Sequence, residues 1–258
     1  MKRIVLLLVA TLFALAAGAC RSNPAEDPIL RLSAEESLAE GKELMAREKY
    51  GRARPYFQHA FEVEPNSAIG REGLLLAADT FYLEGGSTNY VQAEAKYRDF
   101  LNRFPTSNQA AYVQFQIANS LAKRMEKPDR DQTVTRKAME AYQELIRLYP
   151  TSEYAAQAQE QLKLVTANLA EHEFVVGRFY LRYGSPVSAS ERFEFLLANY
   201  PDYPDQEKVL YHLGLAYQRS QKIEDARKTF DRLRTEYPNS RWIADIPELA
   251  EQAKKEGA

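Results

Sequence analysis

The chain has 258 residues, of which 45% are hydrophobic and 27% charged. That balance excludes a disordered chain and a polytopic membrane protein. The 34 basic and 36 acidic residues leave a formal charge of -2, which argues against a broad nucleic-acid-binding face. The single cysteine, Cys20, cannot form an internal disulfide or a cysteine-based zinc site alone.

The amino terminus opens with Lys2 and Arg3, followed by an uncharged run from Ile4 to Ala17. The run is shorter than the ~20 residues a spanning helix needs. A basic start, a short apolar run and small residues read as a secretory signal over residues 1–19. The segment Ala16-Ala17-Gly18-Ala19-Cys20 resembles a bacterial lipobox, in which the cysteine is lipid-modified and becomes the first mature residue. Cys20 is therefore the expected lipid attachment site. The acyl chains on it would give stable anchoring at about 0.8 kcal/mol per buried methylene. Arg21 follows the cysteine; an aspartate there would have suggested retention at the inner membrane. Residues 20–33 hold two prolines, mixed charges and no helical period, so they read as a lipidated flexible tether.

From residue 34 onward the sequence repeats. Ala53, Ala93, Ala138, Ala189 and Ala226 are each followed four residues later by an aromatic and twelve residues later by a proline. The aromatics are Phe57, Tyr97, Tyr142, Phe193 and Phe230; the prolines are Pro65, Pro105, Pro150, Pro201 and Pro238. A separation of four puts alanine and ring on one helix face. The proline prevents the helix from continuing. Upstream of each alanine is a small residue with an apolar or aromatic residue three later: Gly41, Ala78, Ala118, Gly177 and Gly214. This pattern resembles the tetratricopeptide repeat, with two antiparallel helices per unit. The expected fold is all-α, a right-handed solenoid of about five helix pairs. The repeats fall at about 34–65, 66–105, 106–150, 151–201 and 202–238, with a carboxy-terminal cap at 239–258.

Irregular spacings locate the exceptions. Successive repeat prolines lie 40, 45, 51 and 37 residues apart. Loops are expected at Gly85-Gly86-Ser87 and at Glu126 to Asp131. Gly177 lies 27 residues after Pro150, where the corresponding separation elsewhere is 13. The stretch 152–183 has no proline and one glycine, so it reads as one long helix or two nearly collinear ones. Ser33-x-x-Glu36 and Thr106-x-x-Gln109 read as capping boxes, and Ser185-Pro186 as an N-cap followed by proline at N1. Trp242 and Leu249 are expected to supply a short terminal helix over the last repeat.

The sequence offers little chemistry. His59, His172 and His212 have no metal-ligand spacing, and His172-Glu173 reads as a solvated pair. There is no phosphate loop, because Gly41-Lys42 lacks the upstream glycine, and no GxSxG. No catalytic residue, metal site or cofactor is expected beyond the covalent lipid on Cys20; the expected activity is binding, not catalysis. The repeat register places Leu75, Asp79, Tyr82, Phe115 and Asn119 near the groove formed by the first helix of each pair.

Three longer runs carry a closer resemblance. They are Asp129-Arg130-Asp131 with Ala138-x-x-x-Tyr142-x-x-Leu145 and Tyr149-Pro150-Thr151-Ser152-x-Tyr154; Leu169-Ala170-x-His172-Glu173-x-x-Val176 with Phe179-Tyr180 and Gly184; and Arg192-x-Glu194-x-Leu196-Leu197-x-x-Tyr200-Pro201-Asp202. Together with the lipobox, the tether and the repeats, they resemble the BamD family of outer-membrane protein assembly factors. The resemblance implies a lipoprotein of the outer membrane facing the periplasm, within the β-barrel assembly machinery. It implies docking on the barrel-forming subunit, with Arg192 matching a family arginine near that contact; an ion pair on its own helix is the alternative role. It also implies that unfolded outer-membrane proteins are recognised by their extended, aromatic carboxy-terminal signals, for which a groove with Tyr82, Phe115 and Asn119 is chemically suited. The remaining alternatives are a tetratricopeptide pilotin that escorts a secretin and a periplasmic cell-division coordinator. The 45- and 51-residue spacings disfavour the first, and the short tether disfavours the second.

Overall fold

A computed structural model describes residues 27–249. Cys20, the signal and most of the tether lie outside the described residues, as does the chain beyond Leu249. The described residues form ten α-helices and two 3-10 turns: α1 (Ala34–Ala46), α2 (Tyr50–Val63), α3 (Ala68–Glu84), α4 (Ser87–Arg103), α5 (Ala110–Ala122), α6 (Thr133–Leu148), α7 (Glu153–Arg182), α8 (Pro186–Asn199), α9 (Gln206–Arg219) and α10 (Ile223–Glu236), with turns at Pro28–Arg31 and Arg241–Asp245. No described helix is long and apolar enough to cross a membrane. The chain divides into two compact units, with the boundary at Thr80/Phe81 inside α3.

The repeat grammar reappears as packing. Ala53, Ala93, Ala138, Ala189 and Ala226 and their partner rings Phe57, Tyr97, Tyr142, Phe193 and Phe230 are all 0% exposed. The residues before the five prolines, Glu64, Phe104, Tyr149, Tyr200 and Tyr237, each end a helix with φ between -128° and -134°. This is the extended range that a following proline ring imposes.

The first unit pairs α1 with α2 and adds the larger part of α3. Ser33 caps α1 through a complete capping box: its hydroxyl accepts from the Glu36 amide, and the Glu36 carboxylate accepts from the Ser33 amide. Gly41 on α1 faces Phe57 on α2 so closely that a Cβ would lie 2.6 Å from the ring. Leu38, Leu44, Ala53, Phe57, Ala60 and Ala77 form the core.

In the second unit each helix from α4 to α10 packs on the next. Gly177 on α7 meets Phe193 on α8 as Gly41 meets Phe57. Where the small-to-alanine spacing is 12 residues, the two helices join by one tight turn. Glu48 (φ 58°), Gly184 (φ 84°) and Gln221 (φ 63°) adopt the left-handed conformation there. The next residue's amide reaches back to the carbonyl five earlier: Lys49 to Leu44, Ser185 to Tyr180, Lys222 to Tyr217. This bond satisfies a carbonyl the helix would otherwise leave open. The two longer spacings, before Ala93 and Ala138, correspond to loops at Gly85-Gly86 and at residues 123–132.

The stretch 152–183 is a single helix of 30 residues, α7. It packs against α5, α6, α8 and α9. Two expectations need correction, and a third holds in position alone. Thr106 does not cap α5: that helix starts at Ala110 with Gln109 as its N-cap, and the hydroxyl that turns the chain is Ser107, which accepts from the Gln109 amide. Ser185 precedes Pro186 at N1 as expected, but its side chain makes no capping bond. After Pro238 the described residues make only the 3-10 turn Arg241–Asp245. Trp242 stacks on Tyr211 of α9 with ring centres 4.9 Å apart, whereas Leu249 lies outside any helix.

Candidate functional site

The second unit contains a cleft of about 550 Å³ lined by Tyr82, Phe115, Asn119, Lys123, Met125 and Tyr142, and by Gln157, Glu160, Gln161 and Leu164 of α7. The helical spacing of Phe115 and Asn119 puts both on one side of α5. Phe115 stacks on Tyr154 at 5.5 Å and lies 6.3 Å from the Tyr142 ring. Tyr82 packs on Tyr90 at 5.7 Å. Leu164 is 61% exposed, so the cleft pairs an aromatic floor with an open aliphatic edge.

A polar ladder runs through this floor. Tyr142 donates its hydroxyl proton to Asn119 Oδ1 at 2.7 Å. Asn119 Nδ2 donates to Gln116 Oε1 at 3.0 Å, and Gln116 Nε2 to the Tyr112 hydroxyl at 3.0 Å. The ladder sets the orientation of the Asn119 amide. It uses one of that amide's two donor hydrogens and one of its two acceptor positions, and the other two remain. Burial raises the Tyr142 pKa, with the neighbouring Tyr82 adding to it, so Tyr142 stays a donor across the physiological range. Burial and then Tyr90 raise that of Tyr82.

Of the five residues expected at a groove, Tyr82, Phe115 and Asn119 therefore share this cleft. Leu75 and Asp79 belong to the first unit, where each is 8% exposed. Sequence reasoning missed Tyr142, the residue that orients Asn119. One signal for it was available: the repeat ring is phenylalanine where the preceding small residue is glycine, and tyrosine where it is alanine (Ala78 with Tyr97, Ala118 with Tyr142). A hydroxyl on a buried ring calls for a partner.

Arg192 lies on α8 and is 44% exposed. Its Nη1 donates to Glu173 Oε2 at 2.9 Å, and the Glu173 side chain is only 12% exposed. The pair bridges α7 and α8, so the single-helix ion pair considered from sequence is not what forms. His172 is not a solvated partner of Glu173 either. Its Nδ1 donates to the Pro128 carbonyl at 2.6 Å, and Asn168 Nδ2 donates to the Glu126 carbonyl at 3.3 Å. Buried Gln132 donates to the carbonyls of Lys127 and Arg130. Four carbonyls thus tie the loop 126–131 inward, while Asp129, Arg130 and Asp131 stay exposed.

A second aromatic group closes the carboxy-terminal end. His212 meets Phe174 edge-on at 5.0 Å, Tyr211 at 5.2 Å and Trp242 at 5.4 Å. Burial lowers the His212 pKa, outweighing the bond its ring makes to the Lys208 carbonyl, with Arg178 and Lys208 lowering it further. Lys208 lies 4.2 Å over the Phe174 ring and pairs with Glu171 and Asp205.

Comparison with known proteins places these features in context. The YfiO family of outer membrane lipoproteins matches residues 32–229. The outer membrane protein assembly factor BamD of Rickettsia prowazekii is 28% identical over 244 residues, covering 95% of this chain and 96% of that one. BamD of Caulobacter vibrioides is 25% identical over 209 residues, covering 81% and 68%. Among solved structures, the TPR2AB domain of yeast Sti1 in its pHSP90 complex is 16% identical, covers 81% of this chain and 80% of that one, and has a TM-score of 0.43.

Proposed function

Because the chain belongs to the YfiO family of outer membrane lipoproteins, we propose that it is a lipid-anchored scaffold of the β-barrel assembly machinery. In this reading the lipid sits on Cys20 and the folded units face the periplasm. The 550 Å³ cleft takes an extended aromatic segment of an unfolded outer-membrane protein. Arg192 contributes to docking on the barrel-forming subunit. Within this reading the chain acts by holding its partners together and carries out no reaction of its own.

The observation that carries the substrate reading is the Asn119 amide, held by Tyr142 and Gln116 above an aromatic floor. An extended segment has backbone N–H and C=O groups that no helix or sheet has paired. A fixed amide with one donor and one acceptor to spare matches them, and the rings of Phe115, Tyr82 and Tyr142 receive an aromatic side chain. The Arg192 guanidinium suits a partner carboxylate, since a single hydrogen bond to Glu173 leaves most of its donors for another group.

The test is affinity purification of the tagged, lipidated protein from the outer membrane in mild detergent. The barrel-forming subunit should co-purify. Its consistent absence would overturn the scaffold reading. Peptides copying the carboxy-terminal segment of an outer-membrane protein should bind the wild type and lose affinity for Asn119→Ala; equal affinity for both would remove the cleft from the proposal.

A further inference from the structure

The turn from α7 to α8 carries an exposed cluster that the cleft does not use. Phe179 is 56% exposed, Tyr183 65% and Val187 49%. Phe179 and Tyr183 are four residues apart at the end of α7, so they share a face. Their rings lie 4.5 Å apart, and Tyr180 meets Phe179 edge-on at 6.0 Å. Large apolar side chains left open side by side mark a contact surface. None of the four lines the 550 Å³ cleft.

The surroundings of this cluster are cationic. Arg178 and Arg182 are exposed on α7. Arg178 lies 5.9 Å over the Phe174 ring and Arg182 5.8 Å over that of Tyr183. Arg219 of α9 donates Nη1 to the Leu181 carbonyl at 3.0 Å, which brings the turn from α9 to α10 beside the turn from α7 to α8. Lys222, exposed on that second turn, lies 5.7 Å from the Tyr217 ring centre. Rings and a carbonyl hold these four cations, and no carboxylate among the described residues forms an ion pair with them. Two acids nearby are engaged elsewhere. Glu194 accepts the Tyr217 hydroxyl proton at 2.7 Å, and Glu224 pairs with Arg227 at 3.7 Å. The edge made by the two turns therefore shows open rings and four positive charges that the chain itself does not neutralise.

We propose that this edge rests on an anionic phospholipid surface, with Phe179, Tyr183 and Val187 at the level of the headgroups and Arg178, Arg182, Arg219 and Lys222 against their phosphates. Aromatic rings settle at the boundary between lipid and water. The negative potential of an acidic leaflet attracts clustered Lys and Arg. An edge built from two turns suits a plane, whereas an extended protein segment needs a groove, which the cleft supplies. The membrane contact has a definite use. A lipid on Cys20 would fix where the chain sits but not how it faces, because the tether between them is flexible. A second contact, made by the protein surface, orients the second unit. The inference borrows from the functional reading only the nearness of a membrane; the barrel-forming subunit has no part in it.

The test uses the mature chain with Cys20→Ser, which keeps every described residue and carries no lipid, so that any binding comes from the protein surface. Co-sedimentation is measured with vesicles of phosphatidylglycerol and phosphatidylethanolamine, and with vesicles of phosphatidylcholine alone. The chain should bind the anionic vesicles about tenfold more tightly and release them as salt rises. Phe179→Ser with Tyr183→Ser, and separately Arg182→Gln with Lys222→Gln, should each weaken that binding severalfold. All four side chains are exposed, so the thermal unfolding midpoint should stay where it is. Tyr183→Trp should be quenched by brominated phosphatidylglycerol more strongly than the wild type, whose single tryptophan is Trp242. Absence of binding to anionic vesicles, equal binding to both kinds, or variants that bind as the parent does would each overturn the proposal. So would a dimer, seen by analytical ultracentrifugation, that the Phe179→Ser, Tyr183→Ser variant dissolves while vesicle binding is absent; the edge would then belong to a second copy of the chain. None of these outcomes bears on the docking reading, which the co-purification of the lipidated protein tests by itself.

Discussion

A Cβ added to Gly177 would lie 2.6 Å from Cε1 of Phe193, a ring that is 0% exposed. The ring has nowhere to retreat, because Phe174 packs against it at 5.7 Å and Leu196 and Ala189 fill the same core. Gly177→Ala is therefore expected to destabilise the second unit by about 1–3 kcal/mol, the usual cost of overpacking, even though alanine is intrinsically the better helix former. Urea unfolding followed by circular dichroism measures it. A midpoint at or above that of the wild type would contradict the packing argument.

Gln221 offers the reverse case. It holds φ 63° in the tight turn between α9 and α10, where its Cβ costs about 1–2 kcal/mol. Glycine removes that strain and gives back part of the gain as extra freedom in the unfolded chain. Gln221→Gly should stabilise by about 0.5–1 kcal/mol, seen as a higher urea midpoint with the same slope. Gly184 already occupies the equivalent position one repeat earlier with φ 84°, so Gly184→Gln should destabilise by a similar amount.

Tyr142→Phe removes one hydroxyl and leaves the ring in place. The Asn119 amide then loses the 2.7 Å bond that orients it. Stability should fall by about 1 kcal/mol, the net worth of such a bond. Affinity for an extended aromatic peptide should drop by a factor of roughly 3 to 10, in line with a single hydrogen bond. Titration calorimetry on wild type and variant at one salt concentration reads the second effect. An unchanged affinity would mean that the orientation of Asn119 is irrelevant to binding.

His212 makes stability depend on pH with a definite sign. Burial holds its folded pKa below the ordinary 6.5, so between the two values the unfolded chain binds more protons than the folded one. Stability attributable to His212 is then fully present above pH 6.5 and is lost as pH falls from there through the depressed folded value. Urea midpoints measured from pH 7.5 down to pH 5 should decline for the wild type and decline less steeply for His212→Gln. Parallel slopes would assign the acid sensitivity to other groups.

The alanine, aromatic and proline spacing made the helix pairs legible, because close packing demands a small residue and a ring on one face, and a proline ends what they begin. The 12-residue spacing from Gly41, Gly177 and Gly214 carried a further signal that only the structure made readable: it coincides with the shared tight turn. The faces of single residues were not legible. Leu75 and Asp79 carry the same periodicity as Tyr82, yet they are buried, because exposure depends on which helix arrives against them. Nor was the role of His172. Its bond to Pro128 spans 44 residues and leaves no local mark. The same holds for Glu173 and Arg192, whose charges are 19 positions apart and meet only through the α7–α8 turn. Tyr142 fulfilled its expected place as a core ring, and its second task, carried by a single hydroxyl, depends on Asn119 in the preceding helix.

The 30-residue length of α7 has an evolutionary consequence. Gln157, Glu160, Gln161, Leu164 and Val165 border the aromatic cleft, and Glu173 holds Arg192, all on one uninterrupted rod. A single inserted or deleted residue within it would swing everything beyond by about 100° around the helix axis and shift it by about 1.5 Å. Such a change would turn Glu173 away from Arg192 and Gly177 away from Phe193 at the same stroke. Loops such as 85–86 and 123–132 absorb length changes. Between Glu153 and Arg182 the chain has a fixed phase, so descendants of this sequence are free to vary that helix by substitution but not by length.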